Sequence, residues 1–385
     1  MNAAVPVPAK RRDIRFDALR GLLLIVMMGV HLPTPVSRVV QEPLGFFSSA
    51  EGFVFLAACL AGMIYGRTYD RDGWNGLTRK AYQRTGRVYG AHLALLLPIA
   101  MVAWTLAEWV PSLANHFHDF LLAPGASLAL TPLLLNQPPL FDILPLYVVL
   151  LAATPVIVWG ARKLGWLQVI AISVVIWLAP QEGYGLNTLV NHHPLAGLRL
   201  GSFELLAWQL LWVGGMALGD TVGRGELRIS WRTHRLLVAA AAAIAVSALL
   251  VRYGLWPRAF FSTNVYMYMN KWTLGPLRLL DLGAIVVLLL AFNPRPPQAL
   301  LKPLASVGRN SLFVFCFHIP VVMVATTWIE GAELGQAARA IVGLAAIASL
   351  FVCAQWLDRN AKRREAALAS DGRTALDALA LRQRM

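Results

Sequence analysis

The sequence predicts an all-α, polytopic membrane protein of about ten transmembrane helices with both termini in the cytoplasm. Three observations carry that prediction. Of 385 residues, 57% are hydrophobic and only 14% charged, a balance that excludes an ordinary soluble domain. Apolar runs of spanning length, or close to it, recur along the whole chain. Lys and Arg gather in alternate connections, which is the positive-inside pattern.

The runs are read as 15–31, 46–66, 88–110, 141–160, 165–180, 203–220, 235–252, 273–292, 304–328 and 334–357. The first run is expected to be retained. No A-x-A cleavage pattern accompanies it, and Arg20 follows too soon after Lys10, Arg11 and Arg12 for a signal-peptide core. Residues 121–135, interrupted by Pro124, Gly125 and Pro132, read as a re-entrant or interfacial piece. Cations crowd the N-terminus, the 67–87 loop, 161–164, 220–235, 293–309 and the tail, and are sparse in the intervening connections. That alternation requires an even number of spans and divides the chain into a basic cytoplasmic N-terminus (1–14), a transmembrane domain (15–357) and a cytoplasmic tail (358–385). Membrane topology accounts for the net charge of +14, so membrane lipids and not nucleic acid are the expected partners. Cys59, Cys316 and Cys353 lie inside apolar runs without CxxC spacing and read as packing residues.

Several ionisable residues fall within or at the ends of these runs, where each is costly and therefore a candidate functional group. Arg20 and His31 stand at opposite ends of the first run, eleven positions or about 16 Å apart on a helix. Asp17 and Arg20 read first as a local ion pair. Glu51, Asp142 and Glu204 sit near helix starts, where a carboxylate complements the macrodipole. Glu51 has a second reading, because only a short loop separates it from His31. Arg278 and Asp281 share one helix face at i to i+3 and are expected to neutralise each other. His31 and His318 are open to two readings. Each is either a hydrogen-bonded core histidine or a base able to take a hydroxyl proton in a partly dry site. His116, His118, His192 and His193 read as exterior loop residues, and no metal ligand set is evident. Arg67, Arg71, Arg79, Lys80, Arg84 and Arg87 serve topology and lipid contact, or alternatively bind phosphates of a cytosolic donor.

The opening RxxRFDALRG, with ten residues between Arg20 and His31, resembles the R-x10-H pattern of the membrane acyltransferase-3 superfamily. More closely, SSAEGFVFLAA, QPPLFDILPLYVVLL, LLAWQLLW, LGPLRLL and GRNSLFVFCFHIP resemble the successive blocks of the OpgC family, from about residue 13 to 320. That family is associated with O-succinylation of osmoregulated periplasmic glucans. The resemblance implies a bacterial inner-membrane O-acyltransferase with no permanently bound cofactor. Its donor would be succinyl-CoA, or acetyl-CoA, and its acceptor a periplasmic glucan or other glycan. A homo-oligomer is left open. On this reading His31 is the base, Glu51 and His318 assist it, and Arg20, Arg84 and Arg87 meet the donor. Asp142, Arg278, Asp281 and Asn310 meet the substrate, with Arg278, Arg199 or Arg258 pairing the succinyl carboxylate. Val30 stands where the family often has Asp before the histidine, which moves the orienting role to Glu51. Ala57 and Ala58 remove the hydroxyls of the more usual FLSGY-like run. An O-acetyltransferase of lipopolysaccharide or another surface glycan is the nearest alternative. A secondary transporter of a glycan or small anion is the alternative of another class, although no paired broken helices stand out.

Overall fold

The computed structural model describes residues 13–193, 195–255 and 265–382, with the side chains of 265–266 and 369–382 left out of account. Lys10, Arg11, Arg12 and Arg258 lie outside the described residues. In chain order the helices are α1 (Ile14–His31), α2 (Pro35–Val40), α3 (Ser49–Leu106), α4 (Pro111–His116), α5 (His118–Leu122), α6 (Pro124–Leu130), α7 (Ile143–Leu164) and α8 (Trp166–Gln181). They continue as α9 (Leu186–Asn191), α10 (Leu205–Arg224), α11 (Arg235–Arg252), α12 (Val265–Tyr268), α13 (Pro276–Phe292), α14 (Gln298–Arg309), α15 (Ser311–Gly331) and α16 (Gln336–Arg382). Among the described residues the extended structure is limited to a single bridge between Asn136 and Arg199.

Among the described residues seven helices are long and apolar enough to cross a membrane. Most of them turn bulky apolar side chains outward, with Leu167 76% exposed on α8 and Leu236 89% exposed on α11. A face of that kind is stable against lipid and costly against water.

The α3 segment departs from the expected loop at 67–87. Helical structure runs through that stretch and reverses at Gly73, whose φ of +65° a residue with a side chain rarely adopts. Lys80 Nζ donates to Thr68 Oγ1 at 3.2 Å. On a straight helix those residues would be about 18 Å apart, so α3 is a hairpin of two helical arms. The run expected at 304–328 is likewise divided, because Asn310 separates α14 from α15. The interrupted 121–135 segment forms parts of α5 and α6, and α16 carries the helix on through the tail without a break.

Close helix contact is made by small residues. The first arm of α3 carries Ala58, Gly62 and Gly66 at four-residue spacing, and α10 carries Gly215 and Gly219. A Cβ on Gly62 would strike the Met216 carbonyl, and one on Gly219 would strike the Cys59 carbonyl. In lipid, where apolar burial gives little preference for helix over solvent, such backbone approach supplies much of the association energy. At one end of this pair Arg162 donates to Asp220 at 2.7 Å and to Asp70 at 2.9 Å, while Arg224 donates to Asp70 at 2.5 Å. Trp166 Nε1 adds a bond to Asp220 at 2.8 Å, so α3, α7, α8 and α10 share one ionic clamp. Gly219→Leu is expected to destabilise the protein by about 1–3 kcal/mol through overpacking. Thermal unfolding of the detergent-solubilised protein should show a lowered midpoint, whereas an unshifted midpoint would mean that α3 and α10 are not in backbone contact.

Candidate active site

Residues near the ends of several helices meet around His31, the last residue of α1. Its ring stacks on His318 of α15, with centroids 5.6 Å apart and planes inclined by 21°. His318 is 2% exposed, and its Nδ1 bonds to the Phe315 carbonyl one turn back. A carbonyl only accepts, so Nδ1 carries the hydrogen and Nε2 is left as a lone pair. That Nε2 is buried without a partner, and so is Nδ1 of His31. Two adjacent imidazoles therefore keep uncommitted nitrogens, which is an expense in a packed interior and an asset for proton transfer.

Glu51 lies at the start of α3, where the sequence reading had it orient His31. Its carboxylate is otherwise engaged. Oε2 accepts from Ser48 N and Ser48 Oγ, each at 2.5 Å, and completes a capping box on α3. The Arg278 guanidinium bonds both carboxylate oxygens, its Nη2 reaching Oε2 at 3.0 Å. No bond runs from Glu51 to His31, so the expected pairing is corrected. The sequence missed the reason, which is that Arg278 and the helix start together exhaust the carboxylate.

The expected neutralisation of Arg278 by Asp281 is corrected as well. Arg278 Nη1 reaches Glu42 at 2.8 Å, whereas Asp281 accepts from the Phe46 and Phe47 amides at 2.6 and 3.2 Å. Long-range partners displace the i to i+3 neighbour: two glutamates take the guanidinium, and the Phe46 and Phe47 amides take the Asp281 carboxylate. Asp142 holds the Ser202 amide at 3.0 Å and makes no side-chain cap on α7. Glu204 caps its own helix through Leu206 and also takes the Leu186 and Asn187 amides at 2.9 Å, which is a structural task.

A cavity of about 1480 Å³ opens at the other end of the molecule. Arg20, Arg67, Lys80, Arg84, Arg87 and Arg309 line it, together with Phe53, Val54, Leu60, Ile143, Leu144 and Phe315. Cations and apolar groups occupy different depths. From Arg71 to Phe53 the first arm of α3 spans about 27 Å, so the cavity runs most of the thickness of a bilayer core. It reaches Phe315, whose ring makes an edge contact with His318 at 4.7 Å. Arg20 lies 3.9 Å from Asp17. Arg67 donates to the Gly223 carbonyl at 2.6 Å and Arg309 to Asp358 at 2.7 Å. Arg84 and Arg87 make no ion pair among the described residues. Asn310, expected to meet the substrate, lines this cavity. It lies about 12 Å along α15 from the histidine and donates to Ser306 and Asp358.

A family model described as OpgC protein matches residues 12–362 of the sequence. The chain belongs to the OpgC family. Comparison with curated proteins and with solved structures gave no match. OpgC membership implies acyltransferase activity and suggests that a glucan is the molecule modified. A cavity joining a basic mouth to a histidine pair suits chemistry of that kind.

Two residues of this OpgC-family site escaped the sequence reading. Glu42 bridges Arg278 and Arg252, yet QEPLG reads as an ordinary loop. Lys271 stands close enough for its charge to act on His31, and its ammonium lies 5.0 Å from the Trp272 ring and 6.0 Å from that of Phe203. A lone lysine beside a tryptophan in a cation-poor connection was the signal available for it. Among the described residues no group of three or more His, Cys, Asp or Glu could hold a metal ion.

Removing one partner of a buried pair costs more than removing both, because the remaining charge is left uncompensated. Arg278→Met alone is expected to cost about 3–5 kcal/mol, and Arg278→Met with Glu51→Leu substantially less. Denaturation midpoints of the two variants test this, and equal losses would show that the pair is not energetically coupled.

Proposed function

We propose that the chain is a membrane-embedded O-acyltransferase that moves a succinyl group from cytosolic succinyl-CoA to hydroxyls of periplasmic glucans, with His31 as general base. The observation that carries this reading is the deep cavity with cations at its mouth and Phe315 at its inner end, directly against the histidine pair. In this proposal α1, the two arms of α3, α7, α8, α10, α11, α13, α15 and α16 make ten spans in the bacterial inner membrane. Both termini and the basic mouth face the cytoplasm.

Arg84 and Arg87, with Arg20 deeper in the wall, hold the donor's phosphates, to which guanidinium forks are well matched. The apolar lining takes the thioester arm. A sugar hydroxyl arriving from the opposite face gives its proton to His31 as its oxygen attacks the thioester carbonyl. The carbon–sulfur bond breaks, the ester forms, and the thiolate leaves with the proton as free CoA thiol. His318, through its Nε2 lone pair, accepts from a neighbouring hydroxyl of the same sugar and so holds the acceptor in place.

A carboxylate on the acyl group needs a cation near the histidines. Arg278 is occupied by two glutamates, and Arg199 reaches Asp119 at 3.5 Å. Lys271 makes no ion pair among the described residues, and burial pulls its ammonium below the ordinary lysine value. Lys271 is therefore the better counter-charge for a succinyl carboxylate. An acetyl group would leave it unused.

Purified protein given succinyl-CoA and a soluble glucan is expected to release free thiol and form ester. His31→Ala should lower that rate by about 10²–10⁴-fold at equal folded protein. Retained activity would remove His31 from the mechanism, and absence of thiol release with any acyl-CoA would favour the transporter reading. Arg84→Ala with Arg87→Ala should raise the donor KM by roughly tenfold, an effect that fades with added salt. Lys271→Met should abolish a preference for succinyl-CoA over acetyl-CoA. A preserved preference would move the carboxylate site elsewhere.

A further inference from the structure

A small notch lies apart from the donor cavity, near the histidine end, where the connection after α6 meets the connection before α10. Two pieces of extended chain pair there, with Arg199 N donating to the Leu135 carbonyl and Gln137 N to the Arg199 carbonyl, both at 2.9 Å. The notch is lined by His116, Asp119, Phe120, Asn136, Pro138 and Arg199, with an enclosed volume of about 10 Å³. That is room for about one water-sized group.

The polar atoms around it are held in place by bonds made elsewhere. Asn136 is 1% exposed, and its Nδ2 donates to the Gly197 carbonyl at 2.7 Å and to Ser127 Oγ at 3.3 Å. Because the Gly197 carbonyl only accepts, the amide cannot be turned round, and Oδ1 is left on the other side. That Oδ1 is buried with no partner. Arg199 meets Asp119 at 3.5 Å and makes no side-chain hydrogen bond to the protein among the described residues. The notch thus holds an orphan acceptor beside an available guanidinium donor, with a carboxylate and apolar ring surfaces around them.

We infer that this notch is a recognition subsite for one hydroxyl of a carbohydrate chain whose neighbouring unit is presented to His31. A hydroxyl supplies both functions through one small group. It donates to Asn136 Oδ1 and accepts from Arg199, while the ring that carries it stays outside the notch, against the exposed Pro139. A carboxylate would meet Asn136 Oδ1 with a like partial charge, and an ammonium would meet Arg199 with no acceptor. The inference rests on the proposed transfer to a glycan and adds where the acceptor is gripped beyond the reacting unit.

The test is direct binding of a soluble glucose oligosaccharide to the purified full-length protein, followed by isothermal titration or saturation-transfer NMR without any acyl donor. Arg199→Ala, at an exposed position, and Asn136→Leu, which removes the Oδ1 acceptor, should each weaken binding by roughly tenfold, as loss of one hydrogen bond predicts. Wild-type binding with no loss in either variant would make the notch a structural water site only and overturn the inference while leaving the proposed function standing. No binding by the wild-type protein would overturn both. Circular dichroism and thermal unfolding matching wild type would exclude misfolding of the variants, and Arg199→Lys should restore part of the affinity.

Discussion

The buried pairing of Glu51 with Arg278 is the interaction on which the histidine end depends. Arg278 is 4% and Glu51 1% exposed at the side chain, so neither charge is tolerable alone. The pair fastens α13 to the start of α3, and Asp281 on the same helix gathers the amides of Phe46 and Phe47. Arg252 and Tyr253 hold the Gln41 and Pro43 carbonyls from the end of α11. Within this frame Glu42 takes a left-handed φ of +54°, a costly conformation for a residue with a side chain. Its ion pairs with Arg278 and Arg252 offset that cost, so the loop between α2 and α3 is held by charge more than by apolar packing.

The opposite end obeys the same electrostatic constraint with a different outcome. Asp70 and Asp220 neutralise Arg162 and Arg224 where four helices meet, which is a structural use of charge. Arg84 and Arg87 make no such ion pair among the described residues and line the cavity instead. Cations left unneutralised at the mouth of an apolar cavity attract anions to it, and field lines focused by low-dielectric walls strengthen the effect. Arginines neutralised by aspartates and arginines with no ion pair among the described residues thus occupy different places, although both kinds belong to the basic connections of the sequence.

The helices were legible because long apolar runs admit few other structures, and each predicted run is largely helical, the one at 304–328 being shared between α14 and α15. The reversal at Gly73 was harder to see. RDGWNGLTRKAYQR is polar enough to read as a loop, yet much of it favours helix, and only the glycine allows the chain to double back. Among site residues, His31, His318 and Arg20 stood out because charge or imidazole in an apolar run is conspicuous. Pairings were not legible. Arg278 and Asp281 look like natural partners at i to i+3, but Glu51, 227 positions away, wins the guanidinium. Glu42 and Asn136 lie in connections where polar residues are expected anyway, so nothing marked them, and Lys271 was marked only by its place beside a tryptophan in a cation-poor connection.

Phe315 and His318 tie the two ends together. They occupy one face of α15 a single turn apart, joined by the Nδ1 bond to the Phe315 carbonyl and by their ring contact. Phe315 also lines the large cavity, whereas His318 stacks on His31. With Val30 unable to act as a carboxylate and Glu51 committed to Arg278, the His31 ring owes its orientation to this stacking. The wall of the cavity is therefore one helical turn away from the ring that stacks on His31. Helical backbone bonds make that turn stiff, so an occupant of the cavity bears on the histidine pair through packing alone, with no moving part between them.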